Sequence, residues 1–137
     1  TLFPYTTLFR SPFEGEVEMR ATLGALAALL LLFAAVQYDD ADGPFWAAVY
    51  GAAALWTAVG AFRPSWLGRR AVQLLLGASL VAVVGGIVAY WPRAEAWWRL
   101  DVWWHDETAR EGMGFMIVGA CLALVAVAAR RRGLARG

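Results

Sequence analysis

Four apolar runs, residues 21–38, 45–62, 71–91 and 113–129, contain no Asp, Glu, Lys, Arg or His, and every charge of the 137-residue chain lies between or outside them. At roughly 1.5 Å of rise per helical residue, runs of 17 to 21 residues reach the ~30 Å of a bilayer hydrocarbon core. The expected architecture is therefore all-α, an integral membrane four-helix bundle. The hydrophobic content of 61% belongs to these spans.

The first eleven residues, Thr1 to Ser11, read as the conceptual translation of a sequencing-adapter oligonucleotide and are set aside from fold reasoning. The following Glu-Gly-Glu-Val-Glu implies purine-rich codons of the kind found in a bacterial ribosome-binding site. Translation is thus expected to begin at Met19, with 1–18 non-structural, 19–129 a four-span membrane domain and 130–137 a basic cytoplasmic tail. All twelve basic residues are Arg, and without Arg10 they balance the eleven acids. A near-neutral chain gives no argument for a nucleic-acid partner. The Arg, Ala, Gly and Trp usage suggests a GC-rich genome. The single cysteine, Cys121, lies within the last run, where it reads as a small buried apolar filler.

The first run is longer than the apolar region of a signal peptide, about 7–15 residues, and three more runs follow it, so it reads as a retained span. Asp39 to Pro44 has no Arg and three Asp, whereas Arg63 to Arg70 has three Arg and no acid. The first loop is then outside and the second inside, which places both termini in the cytoplasm. Arg20 and the tail arginines Arg130, Arg131, Arg132 and Arg136 agree with this. The expected location is the bacterial inner (cytoplasmic) membrane, multi-pass, with lipid as the first partner.

Helices in lipid pack through close approach of small residues more than through a hydrophobic drive. Ala47 and Gly51, Gly77 with Gly85 and Gly86, and Gly112, Gly114 and Gly119 are the candidates. Thr57, Gln73 and Ser79 are expected to hydrogen-bond to their own or a neighbouring helix. No span holds a buried acid, which speaks against a proton or ion relay and against a small transporter. The third loop carries Trp91, Trp97, Trp98, Trp103 and Trp104 among charges without one apolar helical face. On composition it lies in the outer membrane interface, with an aromatic binding groove as the alternative.

The chemistry-bearing positions gather on one predicted face of the membrane. Gln37, Asp39, Asp40 and Asp42 follow the first span, with Trp46 and Tyr50 entering the second. Glu107, Arg110, Glu111 and Gly114 open the fourth at spacings of three and four, hence on one helical face. An oxygen-rich set such as Asp40, Asp42, Glu107 and Glu111 suits a hard divalent cation, with His105 as a nitrogen donor. Arg110 argues instead for an Arg–carboxylate fork tying the first loop to the last span. Simpler roles also stand: Thr108 to Glu111 fits a capping box, and Gly43-Pro44 behind the Asp residues marks a turn into a helix.

At these two stretches the chain resembles the transmembrane protein 220 family, small four-span proteins of bacteria and animals. The pattern Gln-x-Asn-Asp-Pro-Asp, then Trp and Tyr, is met by Gln37, Asp39 in place of Asn, Asp40, Ala41 in place of Pro, Asp42, Trp46 and Tyr50. The pattern Glu-x-x-Arg-Glu-x-x-Gly is met in full by Glu107, Arg110, Glu111 and Gly114. The resemblance runs from about Met19 to Ala129 and implies a four-span fold without an assigned biochemical activity. The departures keep the acids but remove an Asn side chain and a Pro-stiffened turn.

Two readings follow. One is a structural or accessory membrane component, alone, as a homo-oligomer or beside a membrane protein partner, whose acidic cap ties the first loop to the fourth span. The alternative is a cation- or polar-ligand-binding site at the external interface. If that site is catalytic, Glu107 or Asp40 is the candidate base. No Ser-His-Asp set, Cys-His pair, phosphate loop or His-rich motif supports an enzyme, and no catalytic residue or cofactor beyond a divalent cation is assigned.

Overall fold

The structure is a computed structural model that describes residues 12–134, and over them it is helical without strands. In chain order the α-helices are α1 (Pro12–Ala35), α2 (Gly43–Phe62), α3 (Arg70–Ala89), α4 (Leu100–His105) and α5 (Glu107–Leu134), with a 3-10 segment at Pro64–Gly68. All but α4 are long and apolar enough to cross a membrane. The expected start at Met19 falls inside α1, which is continuous from Pro12; residues 1–11 lie outside the described ones. Residues 130–134 of the expected tail extend α5, and 135–137 also lie outside.

Helix ends follow local chemistry. The first span was expected to reach residue 38, but α1 stops at Ala35 and unwinds through successive turns, Gln37 N–H to Ala34, Asp40 N–H to Gln37 and Gly43 N–H to Asp40. The last turn brings Gly43 so near the Gln37 carbonyl that any Cβ there would overlap it. Pro44 then occupies the first turn of α2, where its missing N–H is no loss. At its far end α3 stops at Ala89 rather than continuing to 91. Tyr90 N–H closes on the Gly86 carbonyl at 2.8 Å, and Pro92 disfavours helix in the residue before it.

α2 and α5 form the inner pair, with α1 packed chiefly on α2 and α3 chiefly on α5. Burial follows this order: 39% and 44% of the apolar windows of α2 and α5 are buried, against 17% for α1 and 11% for α3. The outer helices therefore offer most of their surface to lipid. The core joins Leu23 and Leu30 of α1, Ala53, Ala54 and Ala61 of α2, Val83 of α3, and Val118, Leu122 and Val125 of α5. Cys121 is buried there as a small apolar residue.

The in-span polar groups are satisfied locally, as their surroundings require. Fully buried Thr57 donates back to its own helix at Ala53 or Ala54 (3.1 and 3.0 Å). Ser79 donates to the Leu75 carbonyl and accepts from Trp56 Nε1 at 3.1 Å, joining α3 to α2. Gln73 reaches the Leu67 carbonyl.

Close approach uses only part of the expected small-residue set. A Cβ on Gly86 would strike the Phe115 ring, and one on Gly112 would meet Pro92 and the Tyr90 carbonyl. Gly51, Gly77 and Gly85 have nothing within 4 Å of such an atom, because they face outward from the packed seams, and Gly60, against Leu23, takes a place not anticipated.

At the end opposite the α1–α2 loop, Arg20 Nε donates to the Ala61 carbonyl at 2.7 Å and Arg132 pairs with Glu16. Arg69 lies over the Trp66 ring, 5.3 Å from its centroid. Arginines thus fasten α1 to α2 and α5 at that end.

Candidate functional site

The acidic motif after α1 and the Glu-Arg-Glu face of α5, about seventy residues apart in the chain, border one cavity of about 630 Å³. The turns that follow α1 swing Gln37, Asp40, Ala41 and Asp42 over its mouth, and the first turns of α2 supply Trp46 and Tyr50. From α5 come Glu107, Arg110 and Glu111, one helical turn apart, then Met113, Gly114 and Ile117 deeper in. Phe33 and Val36 of α1 and Trp103 of α4 complete the wall. Of the expected set, Asp39 and His105 do not line it. Asp39 is exposed on the turn, and His105 Nδ1 lies 2.9 Å from the Asp101 carbonyl of its own short helix.

One aromatic cluster shapes this end of the bundle. Buried Trp46 meets Tyr50 with ring centroids 5.9 Å apart and Phe115 at 5.1 Å, and Phe33 stands edge-on to Tyr50 at 5.5 Å. Asp42 fixes the Trp46 ring by accepting from Nε1 at 2.7 Å, a bond made one helical turn back toward the loop. Gly114 makes room: a Cβ there would lie 2.6 Å from Tyr50 Oη and 3.1 Å from Trp46 Cζ3. The glycine of the α5 motif therefore lets Tyr50 reach the cavity. Tyr50 is only 9% exposed, and its hydroxyl has no hydrogen-bond partner among the described residues. No buried side-chain polar atom among those residues lacks a partner, so Oη opens to the cavity rather than being sealed in the wall.

The electrostatics are one-sided. Asp40, Asp42, Glu107 and Glu111 border the cavity with Arg110 as its one lining cation, a formal charge of −3. The anticipated Arg110–carboxylate fork is not among the ion pairs of the described residues; Arg110 Nη1 instead points to the Trp103 carbonyl at 3.5 Å. The added helix α4 brings that carbonyl within reach, so the guanidinium sits exposed at the rim. No three of the described His, Cys, Asp and Glu residues converge as a metal centre, and His105 is directed elsewhere.

The start of α5 also differs from expectation. Asp106, not Thr108, caps it: its Oδ1 accepts from Ala109 N–H at 2.8 Å and from the Thr108 hydroxyl at 2.6 Å. A shorter, charged acceptor placed two residues earlier takes the orphan N–H, and this frees Thr108 to accept from Arg93 N–H at 3.2 Å and hold the preceding loop. Those hydrogen bonds, the Thr108 hydroxyl's first and the Ala109 N–H next, hold the Asp106 carboxyl below its ordinary value of 3.8. A group lowered on folding stabilises at pH above its unfolded value and loses that contribution as pH falls through the folded one. Asp106→Ala is accordingly expected to melt below wild type at neutral pH. The two melting temperatures should converge as the solution is taken below pH 3.8, a comparison made by circular dichroism in detergent.

The tryptophan-rich loop folds more than composition indicates. Trp97 meets Trp91 and Trp98 edge-on, each pair of ring centroids 5.8 Å apart, and Trp103 Nε1 donates to the Trp97 carbonyl at 2.6 Å. Ala96 takes a positive φ of 52° at the turn between them. Arg99 pairs with Asp101 in the first turn of α4. These contacts set Trp103 in the cavity wall, a role that no helical period marked, while Trp98 and Trp104 stay exposed in the manner of interfacial aromatics.

Four long apolar helices, three of which border a polar-lined cavity at one end, define a multi-pass membrane protein of the small four-span class. The profile of Transmembrane family 220, helix, matches residues 29–127, and the chain belongs to that family. Comparisons with curated proteins and with solved structures return no match. The matched segment contains both motifs of the cavity wall.

Proposed function

We propose that this chain is a membrane component that binds a small polar ligand in the cavity between the α1–α2 loop and α5. It works in the inner membrane of a bacterium, with both termini cytoplasmic and the cavity on the external side. The orientation is supported by Arg63, Arg69 and Arg70 at one end and by the arginine-free, three-Asp loop at the other. One observation carries the ligand reading. Both motifs turn their polar side chains toward a space of about 630 Å³, within the roughly 300–1,000 Å³ of ordinary ligand pockets. A motif kept only to tie loop to helix would close that space with direct ion pairs, and Arg110 makes none among the described residues.

Thermal unfolding of the full chain in mild detergent tests this against a panel of choline chloride, sodium citrate, glucose, calcium chloride and magnesium chloride at matched ionic strength. Ala41→Trp, which places an indole on an exposed position at the cavity mouth, serves as the blocked control. At least one solute is expected to raise the melting temperature of wild type but not of Ala41→Trp. At a hundredfold excess over Kd such a ligand adds about 2.7 kcal/mol. No response to any solute would return the cap to a purely structural tie.

A further inference from the structure

Resting on that pocket reading, we infer that the ligand is a small organic ammonium ion, its nitrogen held among the carboxylates and the aromatic wall of the cavity. The sign comes from the lining. Four carboxylates share the lining with one guanidinium, and that guanidinium is exposed at the rim, where it donates to the Trp103 carbonyl. A concave wall with a formal charge of −3 beside low-dielectric helices concentrates cations and repels anions.

The kind of cation follows from how the oxygens are spread and what stands between them. A bare Ca²⁺ or Mg²⁺ demands several oxygens converging at about 2.0–2.6 Å, and no three of the described ligating side chains converge in that way. An alkylammonium ion is larger and less strongly hydrated. It is satisfied by carboxylates disposed around it at greater distance and by aromatic surface within about 6 Å. Trp46, Tyr50 and Trp103 supply that surface in the same lining as Asp42, Glu107 and Glu111.

Tyr50 adds an independent pointer. Its side chain is more than nine-tenths buried, and its hydroxyl has no partner among the described residues yet opens to the cavity. The hydroxyl faces the cavity with its hydrogen-bonding capacity open to an occupant, and Gly114 is the residue whose lack of a side chain permits it to stand there. A ligand N–H or O–H bonded to Oη supplies what the protein does not. The same ammonium chemistry is offered by a free amine and by the choline or ethanolamine headgroup of a lipid.

The test measures binding to the full chain in mild detergent by calorimetry, using choline, ethanolamine and the carbon isostere of choline in which a tert-butyl group replaces the trimethylammonium. Both cations should bind and the isostere should not. Glu111→Gln should weaken choline about tenfold, the effect of losing one charged contact of ~1.4 kcal/mol. Arg110→Ala, at the exposed rim, should tighten it about threefold by removing a repulsive charge. Equal binding of choline and its isostere, or weaker binding in Arg110→Ala, would overturn the inference even if Glu111→Gln proved unable to fold.

Stabilisation in the solute panel by citrate, glucose or calcium but not by choline would overturn the ammonium inference alone and leave the pocket standing. A panel with no response removes both. A final arm separates the sources. Choline affinity that falls in phosphatidylcholine nanodiscs relative to phosphatidylglycerol nanodiscs identifies a lipid headgroup as the occupant, and unchanged affinity identifies a free amine.

Discussion

Phe115→Ala is expected to lower the stability of the bundle by about 2–4 kcal/mol, since its ring closes three aromatic pairs worth about 0.5–1.5 kcal/mol each. The pairs are with Trp46 and Tyr90, both at 5.1 Å between centroids, and with Phe45 at 6.3 Å. Phe115 is the residue at which α2, α3 and α5 meet, and Gly86 of α3 has no side chain so that the ring can lie against its backbone. In lipid, van der Waals packing holds helices together, so a void here has no hydrophobic compensation. Unfolding by sodium dodecyl sulfate, followed by tryptophan fluorescence, measures the loss. Phe115→Leu should recover part of it by refilling volume without the ring geometry. A stability change below about 0.5 kcal/mol, the ordinary range of surface substitutions, would show that the aromatic cluster does not hold the cap.

The second large effect is expected at Gly114. A methyl group there would stand 2.6 Å from Tyr50 Oη and 3.1 Å from Trp46 Cζ3. Both partners are buried, with little room to yield. Gly114→Ala should therefore cost about 1–3 kcal/mol by overpacking, although alanine is the better helix former. Tyr50→Phe removes the oxygen at the closest contact. In the double variant most of the cost should disappear, so that the two substitutions combine far from additively. Additive losses, measured in the same detergent titration, would place the strain elsewhere on the α2–α5 seam. The cycle also separates packing from binding, because Tyr50→Phe keeps the ring and removes only the hydroxyl that opens to the cavity.

Much of this architecture is legible in the chain because the bilayer imposes a coarse rule. Charge-free runs of membrane length mark the four long helices, and their ends are recovered to within a few residues apart from the extensions of α1 and α5. The cavity residues were partly legible for a different reason. Helical spacing places Glu107, Arg110, Glu111 and Gly114 on one face whatever surrounds them. Which partner each side chain takes was not legible. Arg110 turns to the Trp103 carbonyl because α4 exists, and α4 is six residues long with no period strong enough to announce it. Thr108 lost the cap to Asp106 through a competition between two acceptors that differ by two positions. The glycine seams depend on rotation of each helix about its axis, so Gly86 packs while adjacent Gly85 does not. Phe33, Val36, Met113 and Ile117 belong to the cavity wall for the same reason, and as ordinary apolar residues of spans they carried no signal of it.

The distance along the chain between the two halves of the cavity bears on how the protein is made. α1, its loop and α2 can pair as soon as both have left the ribosome, and from then on Asp40 and Asp42 already hang over an unfinished wall. Nothing completes it until α5, the last of the described helices, is threaded into the bilayer and set against α2. A chain stopped before α5 thus has its acidic loop in place but no cavity, and the space closes only when α5 is set against α2.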